Sequence, residues 1–287
     1  MSIQLHQNLN LLFLLIVGSF TAQIHLSWVD VVLVLSFTLF IEHLFLYFNP
    51  QRTFYLSYSS ISTAVGVVVL MYSPQLWIYF VVIALGLFQK HFVTIHNKHL
   101  FNPSNFSLMM ALLLFYNDAH MVLGQLGEEL WLSGVVFVVA LVMLVRVNRW
   151  IIPIAFTLFY LLLQYALVVA YDPVMIFEDI YHRFYSVTFT LFIYFMLTDP
   201  PVTPSKWYYQ ILFSFLVALF VSLLDRVYGF RVQHLFMSVF LFSMFTPLLK
   251  EKIEFKILIK VGLILFLVIG VIILVEIQEP YYFEMQG

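Results

Sequence analysis

The sequence predicts an all-α polytopic membrane protein: ten or eleven transmembrane helices, some of them broken, in two inverted five-helix repeats. Three observations carry this. Of 287 residues, 63% are hydrophobic and 10% charged, against roughly 25% charged in a soluble domain. Apolar runs close to the ~20 residues that span a bilayer follow one another along the chain. Two polar, proline-bearing breaks interrupt them, QKHFVTIHNKHLFNPSNF at 89–106 and MLTDPPVTPSKW at 196–207. Irregular polar backbone at membrane depth is tolerated only where protein buries it or where it lines a cavity. The breaks are therefore the first place to look for function.

The spans lie near 9–27, 30–49, 57–72, 74–92, 103–117, 130–147, 149–171, 183–198, 205–225, 231–249 and 255–276. A ten-helix arrangement with one re-entrant segment is the alternative. No Lys or Arg precedes the first span and no small-residue cleavage site follows it, so it reads as a retained helix rather than a signal peptide. Spans three, five and eight are short, and paired short or interrupted segments in two halves point to a midplane site. Residues 1–287 form one transmembrane domain, with a first repeat over about 9–117, a second over about 130–249 and an extra C-terminal helix over about 255–276.

The repeat rests on matching strings. WIYFVVIALGLF followed by HLF at 99–101 has a counterpart in WYYQILFSFLVALF followed by HLF at 234–236. A proline-bearing break precedes each tryptophan, Ser73-Pro74 and Asp199-Pro200. The copies are five spans apart, and an odd offset inverts one relative to the other.

Positive charge sets the orientation. With the N-terminus in the cytoplasm, Arg52, Lys90, Lys98, Arg146, Arg149, Lys206, Lys250, Lys252, Lys256 and Lys260 fall inside, and Arg183, Arg226 and Arg231 outside. Asp30, Asp118, Glu128, Glu129, Asp172, Glu178, Asp179, Glu276, Glu279 and Glu284 take the outer side. The C-terminus is then outside, and the expected location is the bacterial inner membrane.

Several chemistries are excluded. There are no cysteines, so no disulfide, thiolate nucleophile or Cys-ligated cluster forms. No basic, aromatic-interleaved patch suggests nucleic acid. There is no catalytic triad, phosphate loop, HExxH spacing or Gly-rich dinucleotide motif, and the histidines do not pair as haem ligands. The solvent is the lipid bilayer.

The polar residues left inside the apolar sequence are the candidates. Asn102 caps the helix that Pro103 opens, and such an N-terminus also offers N–H groups to an anion or a carbonyl. Asp199 before Pro200 either caps the next helix or faces a cavity, with Thr198, Thr203 and Ser205 nearby. Lys90 either neutralises an anion or snorkels to the interface. Glu42, inside the second span beside His43, is by default a functional hypothesis. It carries a proton, binds a cation with His43, or is a protonated acid bonded to a neighbouring helix.

The ordered set SSISTAVGVVVLM (59–71), QKHFVTIHNKHLFNPSNFSL (89–108) and FMLTDPPVTPS (195–205) resembles one family of redox membrane proteins. Its members are the NqrB component of the sodium-pumping NADH:quinone reductase and the RnfD component of the Rnf ferredoxin:NAD oxidoreductase. The similarity covers about 55–250. It implies a ten-helix core of two inverted repeats, urea-transporter-like in architecture, flavin-linked electron transfer or redox-coupled transport, and other membrane or redox subunits as partners. It also implies a cofactor-binding set of Ser62, Thr63, Lys90, Asn102, Asn105, Thr198, Asp199 and Thr203. The respiratory members carry FMN covalently on a threonine between the FNP and TDP motifs. Here that loop, YNDAHMVLGQLGEEL at 116–130, has no threonine. The expectation is therefore a non-covalent flavin, FMN or riboflavin, and no covalent FMN. The chain itself would be a non-catalytic subunit of an oxidoreductase complex. The other readings are a cofactor-free transporter or channel, and an accessory membrane protein of a biosynthetic cluster, in which short members of the family occur.

Overall fold

The computed structural model describes residues 3–21, 24–49, 55–95, 98–123, 125–127, 130–171, 175–249 and 255–278. Arg52, Glu128, Glu129, Asp172, Lys250, Lys252, Glu279 and Glu284 lie outside the described residues. The chain is an all-α polytopic membrane protein. Its helices are α1 (Ile3–Thr21), α2 (Trp28–Phe48), α3 (Ser60–Leu70), α4 (Leu76–Phe92), α5 (Pro103–Leu114), α6 (Leu130–Val147), α7 (Ile151–Gln164), α8 (Phe177–His182), α9 (Val187–Leu191), α10 (Trp207–Tyr228), α11 (Gln233–Ser243) and α12 (Phe255–Gln278). α7 and α9 each continue through one wide π-turn, Tyr165–Val169 and Phe192–Met196.

Uninterrupted apolar runs make the long helices. Among the described residues, four are long and apolar enough to cross a membrane: Trp28–Phe48, Ile151–Val169, Trp207–Tyr228 and Lys256–Gln278. Others, such as α3, α5 and α11, stop short. The 12 residues of α5 rise only about 18 Å at 1.5 Å per residue, against a hydrocarbon core of about 30 Å. A helix ending inside the bilayer leaves carbonyls that need donors. At the end of α3 they are met: Leu70 O accepts Val122 N–H (3.0 Å), and Met71 O accepts Gln125 Nε2 (2.6 Å) and the Tyr79 hydroxyl (3.0 Å). The same spot carries a two-residue antiparallel bridge, β1 (Met71–Tyr72) with β4 (His120–Met121). β2 (Thr94–Ile95) and β3 (Lys98–His99) form a second bridge within the 89–106 break.

Boundaries differ from the hydrophobic spans where tertiary bonds end a helix early. The fifth span stops at Leu114 and turns toward β4; the eighth opens as a 3-10 turn at Arg183–Tyr185 and becomes α-helical at Val187, where Ser186 caps it. The tenth ends at Ser243, before a short turn at Thr246–Leu249.

The helices pack in a repeating order. α1 lies on α3, α2 on α4 and α4 on α5; in the second half α6 lies on α9, α7 on α10 and α10 on α11. α5 and α11 meet between the halves. Two glycines permit close approach around α5. A Cβ on Gly66 would sit 2.7 Å from Ser104 Oγ, and one on Gly86 2.1 Å from Ser107 Oγ and 2.6 Å from the Pro103 carbonyl oxygen. Most of α3 and α11 is buried among other helices, while α12 turns residues such as Phe266 and Ile277 outward, to lipid.

Candidate functional site

Three helix ends converge where the sequence breaks. α3 starts there behind Ser59, α4 ends there with Lys90 and His91, and α5 starts there behind Asn102. The π-turn after α9 delivers Asp199–Pro201 to the same place. Between them lies a cavity of about 490 Å³, whose polar wall includes Ser59, Ser62, Thr63, Lys90, His99, Asn102 and Asp199. Small-molecule sites run from about 300 to 1,000 Å³. Five of the residues predicted from sequence, Ser62, Thr63, Lys90, Asn102 and Asp199, share this cavity.

One hydrogen bond joins the two breaks. Asn102 accepts the Asn105 N–H on its side-chain oxygen (3.1 Å), capping α5, and its Nδ2 donates to Asp199 Oδ2 across the cavity edge (3.0 Å). His99 Nε2 lies 3.6 Å from the same oxygen. Capping and cavity-lining thus coexist in one side chain. Among the described residues, no group bonds the other Asp199 oxygen or the Thr63 hydroxyl, so both can serve a ligand.

The remaining predicted residues have other geometry. Asn105 does not line the cavity; its amide donates to the Phe236 carbonyl (3.1 Å) and ties α5 to α11. Thr198 and Thr203 turn their hydroxyls back on the chain, to Tyr194 O (2.6 Å) and Asp199 O (2.8 Å). Thr203 also accepts Arg149 Nε at 3.0 Å. Asn148, in the left-handed region at φ 53°, ends α6 and turns Arg149 inward, as asparagine does at a helix C-terminus. Arg149 is 8% exposed. Burial pulls its guanidinium below its ordinary pKa, while Asp199 pulls it up.

Glu42 is fully buried and serves as counterion to Lys90. Its Oε1 accepts Lys90 Nζ (2.7 Å), Ser57 Oγ (2.9 Å) and Ser59 Oγ (3.1 Å), and its Oε2 meets His91 Nε2 at 2.9 Å. Four donors suit an ionised carboxylate. His43 faces elsewhere, because adjacent helix residues diverge. Its Nδ1 bonds Leu39 O (2.7 Å), so its Nε2 accepts the Ser57 N–H (3.2 Å). The partner histidine of Glu42 is His91. No group of three His, Asp or Glu among the described residues suits a metal.

A second buried polar centre was not read from sequence. Asp225 Oδ1 accepts from His234 Nδ1 (2.6 Å) and the Arg231 N–H (3.1 Å), and its Oδ2 accepts Gln164 Nε2 (2.6 Å). Glu276 lies 3.2 Å from His234 Nε2 and 3.4 Å from Arg231. The signal was available: Asp225 ends a long apolar run, and an ionisable residue there needs a partner. Gln164 stands fourteen residues after Trp150, as Glu42 stands fourteen after Trp28. The centre borders a cavity of about 420 Å³ lined by Leu112, Tyr116, His120, Tyr228, Arg231 and Gln233, at the opposite end of α5 from the first.

Two comparisons bear on identity. Residues 100–258 match the model of the NQR2, RnfD, RnfE family. That range holds α5, the Asn102–Asp199 bond and the Asp225–His234 pair, while Glu42, Ser62, Thr63 and Lys90 precede it. Comparison with curated proteins found no match.

Proposed function

Because the chain belongs to the NQR2, RnfD, RnfE family, we propose that it is a membrane subunit for flavin-linked electron transfer, holding a non-covalent flavin in the cavity at the two breaks. The cavity carries this reading. An isoalloxazine presents one ring N–H and two carbonyls, and the wall offers Asp199 to accept, Thr63 to donate or accept, and Lys90 as a cation beside the developing charge of a reduced ring. Glu42 holds the ammonium in place at 2.7 Å. Asn102 orients Asp199, and Phe195 and Leu191 give the ring an apolar wall. The bound flavin would supply the redox chemistry; the protein supplies position and electrostatics. The absence of a threonine from 116–130 supports non-covalent binding.

The same reading puts the chain in the bacterial inner membrane with other membrane or redox subunits, the cavity face cytoplasmic, and the core built as two inverted repeats. The recurring helix packing and the Glu42–Gln164 correspondence support the repeat. Protein purified in mild detergent should absorb blue light, lose that colour to the supernatant on denaturation, and lose most of it in Asp199→Ala. Colourless protein that supports the activity of its complex would overturn the cofactor claim.

A second reading, a cofactor-free transporter, is favoured by cavities at opposite ends of α5, as alternating access requires. Solute flux into liposomes without an electron donor would select it.

A further inference from the structure

A smaller cavity of about 120 Å³ adjoins the large one, sharing His99, Pro200 and Pro201 with it. Among the described residues its charged lining is Lys98, Arg149 and Lys206, with no acidic residue, and Ser205 adds a hydroxyl. Arg149 is the telling member. All four of its hydrogen bonds go to neutral acceptors: Thr203 Oγ1 (3.0 Å), Thr203 O (3.4 Å), Asn148 O (3.2 Å) and Val147 O (3.4 Å). Among the described residues no carboxylate lies within ion-pair distance of it, and Asp199 is turned toward Asn102 and His99. A buried cation without a counterion is costly, so this one calls for an anion. The start of α10 faces the same space: Lys206 is its N-cap and no side chain caps the helix, which leaves N–H groups for an anion.

We propose that this cavity binds the phosphate of a phosphomonoester whose uncharged body extends past His99 and Pro200 into the larger cavity. At about 120 Å³ the cavity is well below the roughly 300 Å³ of a whole small-molecule site but has room for a tetrahedral oxyanion, and a guanidinium with two ammonium groups is a phosphate-binding set. The part concerning the body rests on the larger cavity being a ligand site; the phosphate end does not. For a flavin, the phosphorylated form is the one selected. The other source of the same chemistry is the headgroup of phosphatidic acid.

The test uses the full chain in neutral detergent, with FMN and riboflavin followed by fluorescence quenching, and phosphatidic acid and phosphatidylcholine by native mass spectrometry. FMN should bind about tenfold or more tightly than riboflavin, one charge-assisted contact being worth at least that factor. Lys98→Gln and Lys206→Gln, both at exposed positions, should close the gap without impairing folding; Arg149→Gln should abolish it where the protein folds. If phosphatidic acid is retained over phosphatidylcholine, displaced by inorganic phosphate and lost in Lys206→Gln, the site stands with the lipid as its source, even if no flavin binds and the flavin reading fails. Equal binding of FMN and riboflavin together with equal retention of both lipids overturns the anion site, and leaves the flavin reading intact if both flavins bind.

Discussion

Removing Lys90 should cost more than removing Lys90 together with Glu42. Glu42 is fully buried, and Lys90 Nζ sits 2.7 Å from it with a side chain 10% exposed. Lys90→Met keeps the stem and deletes the charge, leaving a buried carboxylate with Ser57, Ser59 and His91. Breaking one partner of a buried pair costs about 3–5 kcal/mol. Three surviving donors put this case at the lower end, about 3 kcal/mol. At about 2–4 °C per kcal/mol, that is a loss of about 6–12 °C in Tm. Glu42→Gln combined with Lys90→Met removes both charges and should recover at least half of the loss. Thermal unfolding in one detergent, read by retention of the monodisperse peak, gives all the melting points. The reasoning fails if Lys90→Met melts within about 2 °C of wild type, or if the double variant melts no higher than the single.

Three further outcomes follow from the geometry. Gly86→Ala should lower stability by about 1–3 kcal/mol through overpacking; adding Ser107→Ala should not restore it, because the Pro103 carbonyl is backbone at 2.6 Å. Asn102→Ala should cost about 1 kcal/mol from the lost cap and weaken any cavity ligand. Asn102→Asp should keep the cap but weaken the ligand further, since a second carboxylate would then face Asp199; equal binding by both variants would refute the link. Asp225→Asn should destabilise by about 1–3 kcal/mol, because His234 loses its charged acceptor inside the protein; an unchanged melting curve would show that the second centre is solvated.

The candidate site was legible where cost was visible in the residue type. Polar breaks, a proline after Asn102 and a carboxylate in a membrane span are expensive wherever they fall, and Ser62, Thr63, Lys90, Asn102 and Asp199 did converge. Partner identity was not legible. Glu42 stands beside His43 in sequence but binds Lys90 and His91, 48 and 49 residues away, because a helix turns adjacent side chains apart. Thr198 and Thr203 looked like ligand hydroxyls, but they donate to the backbone carbonyls four residues earlier, of Tyr194 and Asp199.

Composition and hydrophobic run length alone determined that this chain lives in a bilayer as helices, since continuous apolar runs of about 20 residues span it with every backbone bond met inside the segment. Ordered motifs alone determined the family, and physical cost picked out the breaks at 89–106 and 196–207. Only the tertiary structure decided that the breaks touch, through Asn102 and Asp199, and that a buried Arg149 whose hydrogen bonds go to neutral acceptors lies beside them. It alone decided that Asp225 and His234 form a second centre. Those facts depend on which distant side chains meet when short helices stop inside the protein, and the local sequence of each helix does not contain that information.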